Sequence, residues 1–185
     1  MVTRRGALVT LGLSGAVAFL PRMALASVAR AMSVKDLTDN SRAVLLGEPV
    51  ESYGEWAKIG EQRRIVTYTR VVLREAVLGN PESEIMVQTL GGRVGKIGQI
   101  VHGEAALRLN EPSLLFLQDS NSGITRVTAM AQGHYRLLSD SRGIARLKLS
   151  PRLGTLLPSK TAAVERLRDK TFPEARDIVL KALQP

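Results

Sequence analysis

Arg64-Ile65-Val66-Thr67-Tyr68-Thr69-Arg70-Val71-Val72-Leu73 is the stretch on which the fold turns. Six of its ten residues are β-branched. Branching at Cβ stiffens χ1 and suits a pleated strand better than a helix. As a strand, one face carries Thr67, Thr69, Val71 and Leu73, and the other Val66, Tyr68, Arg70 and Val72. Neither face is cleanly polar. That mixture fits a strand passing from one environment to another, as in a bent barrel. Glu75-Ala76-Val77-Leu78-Gly79 continues or bulges it, and Asn80-Pro81 signals a turn.

Working outward, residues 43–50 predict a first strand, with Val44, Leu45 and Leu46 apolar and Gly47 marking a bend or close approach. Residues 51–62 are polar and hold Gly54 and Gly60, so a loop or hairpin connection is expected there, with Trp56 capping the edge of a core. Residues 27–40 predict a short helical lead-in, capped by Ser33 with Asp36 three residues on and Val34 and Leu37 as its apolar side. Further strands are expected over 84–90, 113–118, 124–129, 134–138 and 144–149, with 113–118 central and Ile144 pointing inward with Leu147 or Leu149. Residues 151–158, with two prolines and a glycine, behave as a linker. The tail is helical over 160–170 and again from Thr171, where Thr171, Pro173 and Glu174 form a start signal. Phe172, Ala175, Ile178, Val179, Ala182 and Leu183 give the last helix an apolar stripe, expected on the domain's own core. Six or seven short strands followed by a terminal helix predict a small β-barrel or sandwich.

The chain opens Met1-Val2-Thr3-Arg4-Arg5-Gly6-Ala7-Leu8 and runs uncharged from residue 6 to residue 20. That run falls short of the roughly 20 apolar residues that span a bilayer. Ala24-Leu25-Ala26 supplies a small-x-small cleavage signal, placing the cut between Ala26 and Ser27, with Ala29-Arg30-Ala31 as a second possibility. Thr3 to Leu8 resembles the twin-arginine (Tat) consensus, departing from it at Ala7, where Phe is usual. Arg22 resembles the basic residue that disfavours the general secretion channel. The expected division is a twin-arginine signal peptide over 1–26, a β domain over 27–150, and a linker with C-terminal helix over 151–185. The destination is then periplasmic or secreted, with no membrane anchor once the signal is removed.

Removing residues 1–26 takes three arginines and no acid, lowering the formal net charge from +9 to +6. The remaining charge is scattered, which suits a solvated surface and leaves room for an anionic polymer or lipid head group as partner. Aromatics make up only 4% of the chain, too few to favour a base-stacking nucleic-acid binder. The absence of cysteine excludes disulfides, thiol catalysis, iron–sulfur clusters and cysteine-based zinc sites.

Gly91-Gly92-Arg93-Val94-Gly95-Lys96-Ile97-Gly98-Gln99 is the most unusual stretch. It matches neither a Walker loop nor a dinucleotide fingerprint. Clustered glycines permit positive φ and close backbone passage, so a glycine-rich hairpin between strands is expected. The functional alternative is an anion site made of exposed amides with Arg93 and Lys96. His102-Gly103-Glu104 has ligand chemistry but no third ligand at useful spacing, so no metal is assigned. No nucleophile elbow occurs, and Glu104, Glu111 and Asp119 have no distinctive spacing. No catalytic residue and no cofactor are assigned.

Thr89-Leu90-Gly91-Gly92-Arg93-Val94-Gly95-Lys96-Ile97-Gly98-Gln99-Ile100-Val101-His102-Gly103-Glu104, followed by Glu111 and Leu114-Leu115-Phe116-Leu117, resembles an uncharacterised group of exported bacterial proteins. Residues 71–79 and Met130-Ala131-Gln132-Gly133-His134-Tyr135-Arg136 are also similar to that group, and Asn110 stands where it usually carries glycine. The resemblance covers about residues 33–149. It implies an OB-like β-barrel, closed or partly open, and assigns no reaction.

The expected protein is therefore a mainly β, non-enzymatic exported module that binds a protein or an anionic envelope component. Candidate binding residues are Arg93, Lys96, Gln99 and His102, with Gln132 and Tyr135. An envelope hydrolase or modifying enzyme is the alternative, favoured if Gln99, His102, Glu104 and Gln132 meet in one pocket. A nucleic-acid-binding OB-like domain is a third, calling for exposed aromatics on one barrel face.

Overall fold

The computed structural model describes residues 28–184. The expected signal peptide, with Arg4 and Arg5 and the cut between Ala26 and Ser27, lies outside the described residues. In chain order the elements are β1 (Ala29–Arg30), α1 (Val34–Asp39), β2 (Ala43–Ile59), β3 (Gln62–Leu78), β4 (Glu84–Leu90), β5 (Gly92–Val94), β6 (Ile97–Gln99), β7 (Ser113–Asp119), β8 (Thr125–Val127), a 3₁₀ turn (Met130–Gly133), β9 (His134–Ser139), β10 (Ala145–Leu149), β11 (Leu156–Leu157), α2 (Ala163–Leu167) and α3 (Phe172–Ala182). The protein is mainly β, and its large sheet is mostly antiparallel.

That sheet runs β10-β9-β7-β2-β3-β4-β8, and β8 also pairs with β7. Its spine is the hairpin of β2 and β3, each of 17 residues. Gly60 and Glu61 make a two-residue turn, with Gly60 at φ +61°, the glycine-tolerant conformation such tight turns call for. Register shifts between Val44 and Leu45, Leu46 and Gly47, and Pro49 and Glu51 bend the ribbon near its base. One edge of β7 is shared: Ser113, Leu114 and Leu115 pair with β9, whereas Leu117, Gln118 and Asp119 pair with β8. β8 meets β4 through one parallel pair, Gln88 with Arg126.

Strand alternation sorts the core into two faces. Leu45, Val71, Ile85, Val87, Leu115, Leu117 and Val127 pack on one side of the sheet. Val44, Leu114, Phe116, Tyr135 and Leu147 face the other, beneath Val34 and Leu37 of α1, Leu167 of α2, and Phe172, Ala175 and Val179 of α3. β7 is buried on both faces and is central, as its unbroken apolar run predicts. Ser33 caps α1: its Oγ accepts from the Asp36 N–H at 3.0 Å, and Asp36 accepts from the Ser33 N–H at 3.0 Å. Glu174 likewise accepts from the Thr171 N–H at 2.7 Å at the head of α3. The apolar stripe of α3 is spent on the domain's own core except at Leu183, which is exposed. No helix among the described residues is long and apolar enough to cross a membrane.

Several expectations are corrected. Residues 51–59 are not loop: β2 continues to Ile59, because cross-strand pairing with β3 outweighs the polar composition. Trp56 is therefore a strand residue opposite Ile65, and it is half-exposed rather than a core cap. Ile144 lies before β10 and is exposed, while Leu147 is buried. The strand expected over 124–129 shortens to three residues, because Ala129 and Met130 turn into left-handed conformation at φ +51° and +58°. The helix expected over 160–170 shortens to the five residues of α2. The expected linker carries β11, which pairs with β1 in parallel, and Leu153 and Leu156 pack on Ala31, Ala162 and Val164. Asn110 has φ +61°, which glycine adopts freely and asparagine tolerates better than most residues.

Candidate functional site

The glycine stretch is a small hairpin, β5 and β6, laid across the long ribbon. A Cβ on Gly54 of β2 would collide with the Arg93 carbonyl oxygen, so glycine at 54 permits the crossing. Gly92, at φ +127°, passes equally close to the Thr67 hydroxyl. Thr67 Oγ1 donates to the Gly91 carbonyl at 2.7 Å, and the Gly91 N–H donates to the Ile65 carbonyl at 2.8 Å. Gln99 completes the clamp, its Oε1 accepting from the Ile65 N–H at 2.8 Å. Gln99 thus satisfies a backbone group of β3 at the point where the neighbouring strand has ended.

This crossing gathers charge. Lys58 pairs with Arg63, Trp56 with Ile65, and Gly54 with Thr67, so alternation sets Trp56, Lys58 and Arg63 on the ribbon face that carries the β5–β6 hairpin. Arg93 and Lys96 are exposed on that hairpin, and Arg93 Nε donates to the Gly95 carbonyl at 2.9 Å. The Arg63 guanidinium stands 5.3 Å from the Trp56 ring centroid, a cation–π distance. The ribbon face beyond Ser52 holds no carboxylate; Glu51 and Glu55 alternate to the opposite face, and Glu61 sits in the turn. Among the described residues, Lys58, Arg63, Arg93 and Lys96 make no ion pair. On the opposite face Tyr53 and Tyr68 stack with centroids 5.5 Å apart.

The remaining candidates lie elsewhere. His102 is exposed and lines a pocket of about 110 Å³ with Gln132, Met130, Leu153 and Thr155. Gln132 is buried and anchors the N-terminal segment, accepting from the Met32 N–H at 2.8 Å and donating to the Arg30 carbonyl at 3.1 Å. Tyr135 is fully buried in the helix-side core, edge-on to Phe116, and burial pushes its phenol far up. The structure therefore brings His102 together with Gln132, and Arg93 together with Lys96, but does not unite the six.

A cleft of about 210 Å³ opens at the seam where β4 and β8 separate above their single pair. Gln88, Glu104, Arg126 and Met130 line it. Glu104 is buried, and its carboxylate accepts from the Leu90 N–H at 3.1 Å and the Ala105 N–H at 2.9 Å. Burial raises its pKa; the two backbone donors and the charges of Arg126 and Arg152 act against that rise. Gln88 donates to the Tyr68 hydroxyl at 2.8 Å and accepts from Arg126 Nε at 2.9 Å. Ala129 and Met130 line both this cleft and the His102 pocket. Gln99, His102, Glu104 and Gln132 do not share one cleft. Among the described residues no three His, Asp or Glu side chains converge as a metal site would require.

Lys58, Arg63 and Arg126 are the residues that sequence reasoning missed. A signal for the first two existed: Gly60-Glu61 between residues of strand character is a hairpin turn, and it brings Lys58 opposite Arg63. Nothing local marks Arg126, whose partner Gln88 is 38 residues away. No protein-family model matches the chain, and comparison with curated proteins found no matching sequence.

Proposed function

We propose that the protein is an exported, OB-like β-barrel module whose basic ribbon tip binds an anionic component of the cell envelope. The observation that carries this is that Lys58 and Arg63, the latter beside Trp56, lie on the carboxylate-free ribbon face, and Arg93 and Lys96 on the hairpin that crosses that face. Four cations drawn from two hairpins raise the local potential well above what a scattered charge of +6 would give, and so attract anionic partners.

A ring of strands supports the barrel reading. β2, β3 and β4 form a meander; β2 pairs with β7, β7 with β8, and β8 with β4 in parallel. Following these pairings returns to the starting strand, the arrangement of an OB-like barrel with a weak seam at β4 and β8. β9, β10 and the helices then form a layer against its side.

The test is retention on a phosphate-bearing cation exchanger alongside a variant carrying Lys58→Glu, Arg63→Glu, Arg93→Glu and Lys96→Glu. The tip variant should elute at much lower salt than a control of equal net charge in which four basic residues distant from the tip, Lys35, Arg108, Arg142 and Arg166, are reversed to Glu. Equal elution of the two variants would sink the tip as the binding surface. The alternative of an envelope-modifying enzyme rests on Glu104, a buried carboxyl with raised pKa in a cleft. Its engagement by two backbone N–H groups equally fits a purely structural task.

A further inference from the structure

Resting on the anionic-component reading above, we infer that the partner of the ribbon tip is a lipid bilayer surface bearing anionic head groups, into which Ile97 and Trp56 insert. Charge alone does not separate a lipid surface from a soluble polyanion. The apolar side chains among the charges do.

Ile97 follows the Gly95-Lys96 turn directly and is 56% exposed. Trp56 is 36% exposed beside Arg63. Ile97 lies on the hairpin that crosses the ribbon and Trp56 on the ribbon face it crosses, and neither belongs to either core face. A soluble polyanion gains nothing from an exposed isoleucine, whereas a bilayer interface removes that surface from water while lysine and arginine stay with the head groups. Trp is also the side chain best suited to that boundary, with an apolar ring and a polar N–H. Gly60-Glu61 and Gly95-Lys96 are each two-residue turns by the register of their strands, with Gly60 and Gly95 at φ of +61° and +57°, so both turns are narrow. Two narrow turns on crossed hairpins present the cations and apolar side chains without a bulky rim. In the Glu104 cleft and the His102 pocket, Glu104 and Gln132 are instead held by backbone partners.

Trp56 is the chain's one tryptophan, so its emission reports on the tip alone. The experiment mixes full-length protein with vesicles of equimolar phosphatidylcholine and phosphatidylglycerol, with vesicles of phosphatidylcholine only, or with heparin. Residues 1–26 could tether the full chain to either vesicle, but insertion of the tip is what blue-shifts Trp56 and exposes it to brominated lipid. The expected result is a blue shift with anionic vesicles and none with neutral ones. Ile97→Asn should weaken the shift about ten-fold in lipid concentration while leaving heparin affinity unchanged. Reversing Lys58, Arg63, Arg93 and Lys96 to Glu should weaken both by at least about a hundred-fold, each basic residue near an anionic surface being worth roughly five-fold. Unchanged Trp56 emission with retained heparin binding would overturn the lipid inference and leave the anionic reading standing. An Ile97→Asn protein that inserts normally would also overturn it. Loss of binding to vesicles and heparin alike in the wild type would overturn both.

Discussion

His134 enters the fold with an ordinary imidazole pKa and leaves it lowered to about 3, first through burial and then through the nearby charge of Arg136. Its two ring nitrogens meet two serines, Nδ1 at 2.9 Å from Ser150 Oγ and Nε2 at 3.2 Å from Ser113 Oγ. Ser113 Oγ already donates to the Glu111 carbonyl at 3.2 Å, so it accepts from His134. The neutral tautomer with Nε2 protonated therefore satisfies all three groups, and a second proton would leave Nδ1–H facing a hydroxyl that must turn around. Between pH 6.5 and about 3 the unfolded chain binds this proton and the folded one does not, so stability falls as pH drops below 6.5. Denaturant titration should show a loss of about 1 kcal/mol per pH unit between pH 6.5 and 5. His134→Asn should flatten that slope. Asp36, Asp140, Asp169 and Glu174, all held below the usual carboxylate range, add to the loss only at lower pH. A wild-type slope that matches the variant's would dismiss His134 as its source. At this scale the sequence was a poor guide: Gln99, Gln132 and Tyr135 stood out as polar groups near glycine, yet two serve backbone atoms and one fills the core.

At the scale of elements, the β2–β3 ribbon is two structures end to end. Near its base, residues 43–47 are flanked by β3 and β7, and residues 66–72 by β2 and β4. Toward the tip the two strands have only each other and the crossing β5–β6 hairpin. Local opening follows contact density, so the tip should open without unfolding the base. Hydrogen exchange should show the ladder amides of residues 44–46 and 67–71 exchanging only with global unfolding, and those of residues 55–63 exchanging faster by orders of magnitude. Equal protection along the ribbon would contradict this division. The strong strand over 64–73 was legible because β-branched density is a local property. The strand over 51–59 was not, because its composition is polar and only the register with β3 makes it extended. The starts of α1 and α3 were legible, since each relies on an acid three residues downstream of a hydroxyl-bearing residue.

At the scale of the whole molecule, the C-terminal tail is part of the fold. Leu114 and Phe116 share a core with Leu167, Phe172 and Val179, so the tail completes the domain and is not an appendage to it. A tail that shares the core of the domain fits the proposed twin-arginine route, which carries folded proteins. Changing Arg4 and Arg5 to Lys should leave the protein in the cytoplasmic fraction, as followed by immunoblot of fractionated cells. Undiminished export would rule out the twin-arginine route.

By itself the sequence determined a β-rich chain, the positions of its strongest strand and its helix caps, and an inventory free of thiol chemistry. Each of these depends on residues within a few positions of one another. Which glycines carry a crossing, which glutamines hold backbone, and which cations share a face were decided by tertiary structure alone. Gly54 meets Arg93, Gln99 meets Ile65, and Gln88 meets Arg126 across separations of roughly 35 to 40 residues. Pairings at that distance are chosen by the register of whole strands and by the burial of whole faces, which no local pattern encodes.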